Sequence, residues 1–337
     1  MGYETCHPKT KGPSTPKDGK KVKSKNHSPI LITSCSALNT ACQKLSKAES
    51  LAIDTEYVAE GRYYPRLELI QITGGSQIYL IDVQAVQKLK PLSRLLRNKA
   101  TKIFHACEED LKILAQNEMK IGGDVFDTQV AASLVGYPKH TALKRLVNEL
   151  VGVELGPCQG GSNWSARPFK KQQLKYAAGD VQYLHSLHKV LSAKLDKRQR
   201  IKWYKQEQKA LLNKIYNPKK LTAEDLMKRV SNWGTVGDDG RRLIQELVLW
   251  RERKAKKLNL PRIRFCSDKC LVALAIYKPL SLKDAQIGRR INKGFYKRYE
   301  KEIVSIIKRA SKLPKRTKKK LPSKQEVSEP TPTGLVE

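Results

Sequence analysis

The sequence predicts an α/β domain with a mixed sheet over residues 29–200, followed by a small all-helical domain over residues 201–310. Three observations carry this. Short apolar runs alternate with helical patterns through the first region. A Gly74-Gly75 pair separates two of those runs and implies a hairpin turn. Beyond residue 200 the β-branched runs thin out and give way to stripes of helical period.

In chain order, residues 1–28 are rich in Lys, Pro, Ser and Gly and should form a disordered basic arm. Leu51-Ala52-Ile53 reads as a strand that closes on Asp54-Thr55-Glu56. Residues 67–72 and 78–81 form the two arms of the hairpin, and Lys102-Ile103-Phe104 a further short strand. Helical periods appear around 108–117, 128–135, 141–150 and 170–195. In the second region Leu243, Ile244, Leu247 and Trp250 make one helical stripe and Ile303, Ile306 and Ile307 another, punctuated by Pro261 and Pro279. Residues 311–337 mix a basic run with a Pro/Thr/Glu tail and should again be disordered.

Charge narrows the function. The 337 residues carry 66 Lys+Arg against 32 Asp+Glu, a formal net charge of +34. This points to a polyanionic partner, of which nucleic acid is the commonest. Residues 201–310 hold 28 basic and 11 acidic side chains, so half of the net charge lies in about a third of the chain. No apolar run approaches the roughly 20 residues of a membrane span, and no motif calls for a membrane or an obligate protein partner. The seven cysteines are odd in number and scattered, which suits a reducing compartment: cytoplasmic, or nuclear in a eukaryote.

Against this basic background certain acids stand out. Asp54 and Glu56 are i and i+2 on a strand, so both project from one face. Like charges so placed repel unless a cation lies between them, and Mg²⁺ or Mn²⁺ prefers such oxygen ligands. Alone, the pair reads first as a solvated strand end. Asp110 falls in a first helical turn, where acids are ordinary partners of the helix dipole. Tyr176 and Asp180 share a helix face at i, i+4. Asp127 is most simply a helix N-cap, and is also a candidate to steady the site.

The combination is more specific than its parts. Asp-x-Glu, a later Asp and then Tyr-x-x-x-Asp, in that order, resemble the tyrosine branch of the DEDD family of 3′–5′ exonucleases. The segments "YYPRLELIQI", "FHACEEDL", "FDTQVAASLVGYP" and "NWSARPFKKQQLKYAAGDVQYL" resemble the ribonuclease D group, over residues 30–200. Residues 247–285 are similar to the HRDC domain, a helical nucleic-acid-binding module.

The resemblance implies a ribonuclease H-like mixed sheet flanked by helices, then a single HRDC-like domain. It implies two divalent metal ions, Mg²⁺ or Mn²⁺, on Asp54, Glu56, Asp110 and Asp180, with Tyr176 orienting the attacking water. The expected substrate is the 3′ end of tRNA precursors and other structured RNA. A 3′–5′ DNA exonuclease and a non-catalytic RNA-binding relative are the alternatives. Tyr57 is a candidate to stack on the terminal base, and Arg167 is equally a phosphate contact or a structural pair. His105 is expected to be structural. Cations at 251–264 and 289–298 are candidates for phosphate contacts. Gly179 stands where the family usually carries Ala.

Overall fold

The computed structural model describes residues 28–287 and 290–312. The arm expected over 1–28 and the tail expected over 311–337 lie outside the described residues except at their inner ends. The chain divides into two compact units between Lys220 and Leu221.

The first unit opens with β1 (Ile30–Ile32), α1 (Cys35–Leu45), β2 (Ser50–Val58), β3 (Arg66–Thr73) and β4 (Ile78–Asp82). Two short helices follow, α2 (Val83–Val86) and α3 (Lys90–Leu96), then β5 (Thr101–Phe104), α4 (Glu108–Gln116) and β6 (Val125–Asp127). Five helices complete it: α5 (Thr128–Leu134), α6 (Leu143–Val151), α7 (Lys171–Gln182), α8 (Leu184–Lys197) and α9 (Ile201–Tyr216). The strands form one sheet in the order β1-β4-β3-β2-β5-β6. β3 runs antiparallel to both β2 and β4, and the remaining pairs are parallel. This is the expected mixed sheet flanked by helices.

Period-two alternation splits β2 between two cores. Leu51 and Ile53 face one core with α1, α3 and α4. Ala52 faces the other with α5, α7 and α8. Asp54 and Glu56 continue the Ala52 face, whereas Thr55 continues the Ile53 face.

Three expectations need correction. β2 does not close on Asp54-Thr55-Glu56: it stays paired to Val58, with Asp54 opposite Gln71 and Glu56 opposite Leu69. The acids are therefore within a central strand rather than at a solvated end. The helical period over 170–195 is broken at Tyr183, whose backbone (φ −109°, ψ 3°) leaves the helical region and separates α7 from α8. The boundary expected at residue 200 moves to 220, because α9 packs Leu211, Leu212 and Ile215 on one core and Tyr204 on the other.

The second unit is all helical, as expected. It contains α10 (Ala223–Lys228), a 3₁₀ turn (Trp233–Thr235), α11 (Asp238–Leu258), α12 (Arg262–Phe265), α13 (Asp268–Tyr277), α14 (Leu282–Ile287) and α15 (Lys293–Lys312). The stripes anticipated on α11 and α15 are buried. Trp250 packs edge-on against Phe265, Phe295 and Tyr299, and its indole N–H donates to Glu302 at 2.8 Å.

Candidate active site

Three of the four anticipated carboxylates meet. A ligand oxygen from each of Asp54, Glu56 and Asp180 lies within 4.8 Å of the other two. β2 supplies the first two from one face. α7 brings the third because Ala177, Ala178 and Val181 bury its inner side in the core that also holds Ala52 and Leu69. Gln173 fixes the start of α7 by accepting from the Lys170 amide at 3.0 Å.

Asp110 approaches from the α4 side of β2. It is buried at the start of α4 and accepts the Thr55 hydroxyl at 2.5 Å. It stands outside the group of three, yet its charge is felt there. Burial holds the Asp54 carboxyl well above the ordinary carboxylate range, and Asp110, Asp180 and Glu56 push it further. Burial, then Asp180 and Asp110, push Glu56 up to about 9. Asp110 itself is raised to about 7 by burial, against the lowering effect of the Thr55 bond. Acids that resist ionisation through burial and mutual repulsion are a fitting cradle for hard divalent cations, which relieve both penalties.

Tyr176 borders the same cluster, one helical turn before Asp180. Burial and then the charges of Asp180 and Glu56 raise its phenol far above the ordinary range, so it stays protonated. Its ring packs 6.4 Å from that of buried Trp164, and the Cys158 thiol lies 3.8 Å from its hydroxyl. Tyr57 is half-buried on the α4 side of β2, where the charges of Glu109, Asp110 and Glu56 reach it.

Asp127 does more than cap a helix. Its carboxylate accepts from the Gln129 and Val130 amides of α5, at 2.8 and 3.3 Å, as the sequence implied. It also accepts from the Ala106 and Cys107 amides at 3.0 and 2.8 Å. Ala106 has φ +59°, a left-handed conformation unfavourable for a residue with a Cβ. Asp127 therefore clamps the strained turn that launches α4 and Asp110. Nothing local in the sequence signals this, because the clamped turn carries neither Gly nor Asn. His105 is structural, as expected: its Nδ1 pairs with the Thr128 hydroxyl at 2.9 Å, and burial lowers it to about 4.

Other candidates are engaged elsewhere. Arg167 is held by Asp82 at 2.7 and 2.8 Å and by Glu68 at 3.4 Å, and its guanidinium stacks on Phe169. The structural pair, one of the two readings of Arg167 that the sequence left open, is thus made. In the second unit, Arg251 pairs with Asp268, Lys254 with Glu302, and both Lys256 and Arg262 with Glu252. Much of the 251–264 basic stretch is thus internal scaffolding.

Comparison with known proteins places the chain in a family. Residues 29–196 match a 3′–5′ exonuclease family model and residues 241–307 the HRDC domain. The class defined by fold and site is a 3′–5′ exonuclease joined to an HRDC domain. The chain belongs to the ribonuclease D family, and is accordingly a 3′–5′ exoribonuclease. It is 32% identical to ribonuclease D of Acidiphilium cryptum over 313 residues, 91% of this chain and 78% of that one. With ribonuclease D of Granulibacter bethesdensis it shares 33% identity, over 80% of this chain and 68% of that one. Its structure resembles Escherichia coli RNase D with a TM-score of 0.77 and 27% identity, covering 85% of this chain and 76% of that one. Among the described residues, no helix is long and apolar enough to cross a membrane.

Proposed function

We propose that Asp54, Glu56, Asp110, Tyr176 and Asp180 form the catalytic set for removing nucleotides one at a time from RNA 3′ ends. Asp54, Glu56 and Asp180 would hold one divalent ion, and Asp54 with Asp110 a second, either Mg²⁺ or Mn²⁺. Such a pair supplies an activated water and stabilises the departing 3′ oxygen. The remaining work belongs to the chain. Thr55 fixes the direction of the Asp110 carboxylate. Tyr176, kept protonated, orients water through its hydroxyl rather than taking a proton. The part-exposed face of Tyr57 is available to the terminal base, and Arg167 braces the sheet.

The observation that carries this reading is the meeting of Asp54, Glu56 and Asp180 within 4.8 Å, beside the phenol of Tyr176. The proposed substrates are tRNA precursors and other structured RNA 3′ ends. The E. coli relative, described as an exoribonuclease involved in structured RNA processing, supports that choice. The test is incubation with a 5′-labelled tRNA precursor carrying a 3′ trailer, and with a matched DNA strand, in Mg²⁺ or Mn²⁺. Stepwise shortening of the RNA trailer is expected. Shortening of DNA alone would overturn the substrate assignment.

A further inference from the structure

Four of the α11–α12 cations, Arg251, Lys254, Lys256 and Arg262, are tied into ion pairs, and a second surface of the unit carries a row of unpaired charge. Lys297, Lys301, Lys308 and Lys312 all lie on α15 and are exposed. At about 100° per residue, their spacing of 4, 7 and 4 residues confines them to an arc of about 60°. At about 1.5 Å per residue, the stripe runs about 22 Å along the helix. Among the described residues none of the four is joined to an acid, unlike Arg309 beside them, which pairs with Glu246 at 2.9 Å.

The stripe borders a groove of about 750 Å³ whose lining includes Lys301, Lys308, Lys312, Leu280 and Val304, with Glu300 the one acid. Leu280 is 52% exposed there, an apolar surface left open among cations. A row of unpaired ammonium groups beside apolar ground matches a single-stranded polynucleotide, which offers phosphates along one edge and bases or riboses along the other. An acidic protein would match the charge, but it would not require cations confined to one helical line.

We infer that this α15 lysine stripe, rather than the α11–α12 basic stretch, is the rail that holds the RNA strand behind the end being trimmed. The inference rests on the exoribonuclease reading and names the surface that serves it. Contacts are to phosphate, so binding is indifferent to base sequence and strongly salt-dependent.

The test measures binding of a labelled single-stranded RNA to the full chain in EDTA, across a salt series. One variant carries Lys301→Gln, Lys308→Gln and Lys312→Gln. A control carries Arg253→Gln, Lys257→Gln and Arg264→Gln, which removes exposed cations of α11 and α12. At about 0.7 per single-strand phosphate contact, the α15 variant should flatten the log K against log [salt] slope by about 2. It should also weaken binding by an order of magnitude or more at low salt, while the control changes both far less. A wild-type Kd and slope in the α15 variant would overturn the inference, as would an equal loss in the control. Hydrolysis of bis(p-nitrophenyl) phosphate, a diester with no strand to follow, separates the two readings. The α15 variant should match wild type on it. A wild-type chain inert toward the diester in Mn²⁺ would count against the catalytic reading, while the binding comparison would still decide the rail.

Discussion

The Thr55 hydroxyl donates to the Asp110 carboxylate at 2.5 Å, joining the centre of β2 to the first turn of α4 across 55 positions of sequence. Thr55 lies between Asp54 and Glu56 but points to the opposite face of the sheet. One tripeptide therefore organises both sides of the site: its outer residues meet Asp180, and its middle residue holds Asp110. Replacing Thr55 by Val keeps the shape of the strand and removes the bond. Partners of metal ligands typically matter 10–100-fold, so kcat should fall by about that factor with little change in melting temperature. An unaltered kcat would show that Asp110 does not depend on Thr55.

Asp127 offers a second test at a distance from the carboxylates. Asp127→Ala leaves the buried Cys107 amide and its neighbours without an acceptor and releases the turn at Ala106. A lost cap and an unsatisfied buried donor together predict a cost of about 2–4 kcal/mol in urea unfolding. The Mg²⁺ concentration for half-maximal activity should also rise, because Asp110 loses its anchor. Asp127→Asn, which keeps one acceptor oxygen, should recover part of both. A variant less stable but with an unchanged Mg²⁺ requirement would confine Asp127 to folding.

The acids also couple metal binding to pH. Glu56 near 9 and Asp110 near 7 hold protons in the folded chain that an unfolded chain releases near pH 4. The folded state thus binds more protons, and its metal-free stability from these groups falls as pH rises from about 4 toward 9. Divalent ions take the ionised carboxylates, so their affinity should rise over the same interval and protons should be released on binding. Calorimetric titration with Mg²⁺ at pH 7, in buffers of different ionisation enthalpy, reads that release directly. Identical binding enthalpies in every buffer would mean that no proton leaves.

Gly179 provides a stability test inside the site helix. A Cβ there would meet only Leu155 Cδ2, at 3.9 Å, an ordinary contact. Gly179→Ala should therefore stabilise α7 by roughly 0.5–1 kcal/mol while leaving kcat unchanged, although Asp180 is its neighbour. A lower melting temperature would reveal a crowding that the backbone position does not suggest.

Strand and helix periodicities made the local pairings legible, Asp54 with Glu56 at i, i+2 and Tyr176 with Asp180 at i, i+4, but only their combination in the family motif marked them as a site. Asp110 was legible only through the family motif, since Glu108 and Glu109 share its local context. A steadying role for Asp127 was open in the sequence, but the amides it holds were not legible, because 20 residues separate it from Cys107 and only the pairing of β5 with β6 brings them together. The role of Arg167 required the positions of Asp82 and Glu68 on neighbouring strands. The ion pairs of the cations over 251–264 were hidden for a similar reason: Asp268 and Glu302 reach Arg251 and Lys254 only once α11 is packed against its neighbours.

The most direct test of the account concerns Asp54, whose carboxyl is raised by all three of the other acids. Single-turnover shortening of a 5′-labelled RNA in Mg²⁺ should proceed nucleotide by nucleotide from the 3′ end with the wild-type chain. With Asp54→Asn it should be undetectable, while RNA affinity in EDTA remains that of wild type. An Asp54→Asn chain that trims RNA at the wild-type rate would contradict the assignment of these carboxylates to catalysis.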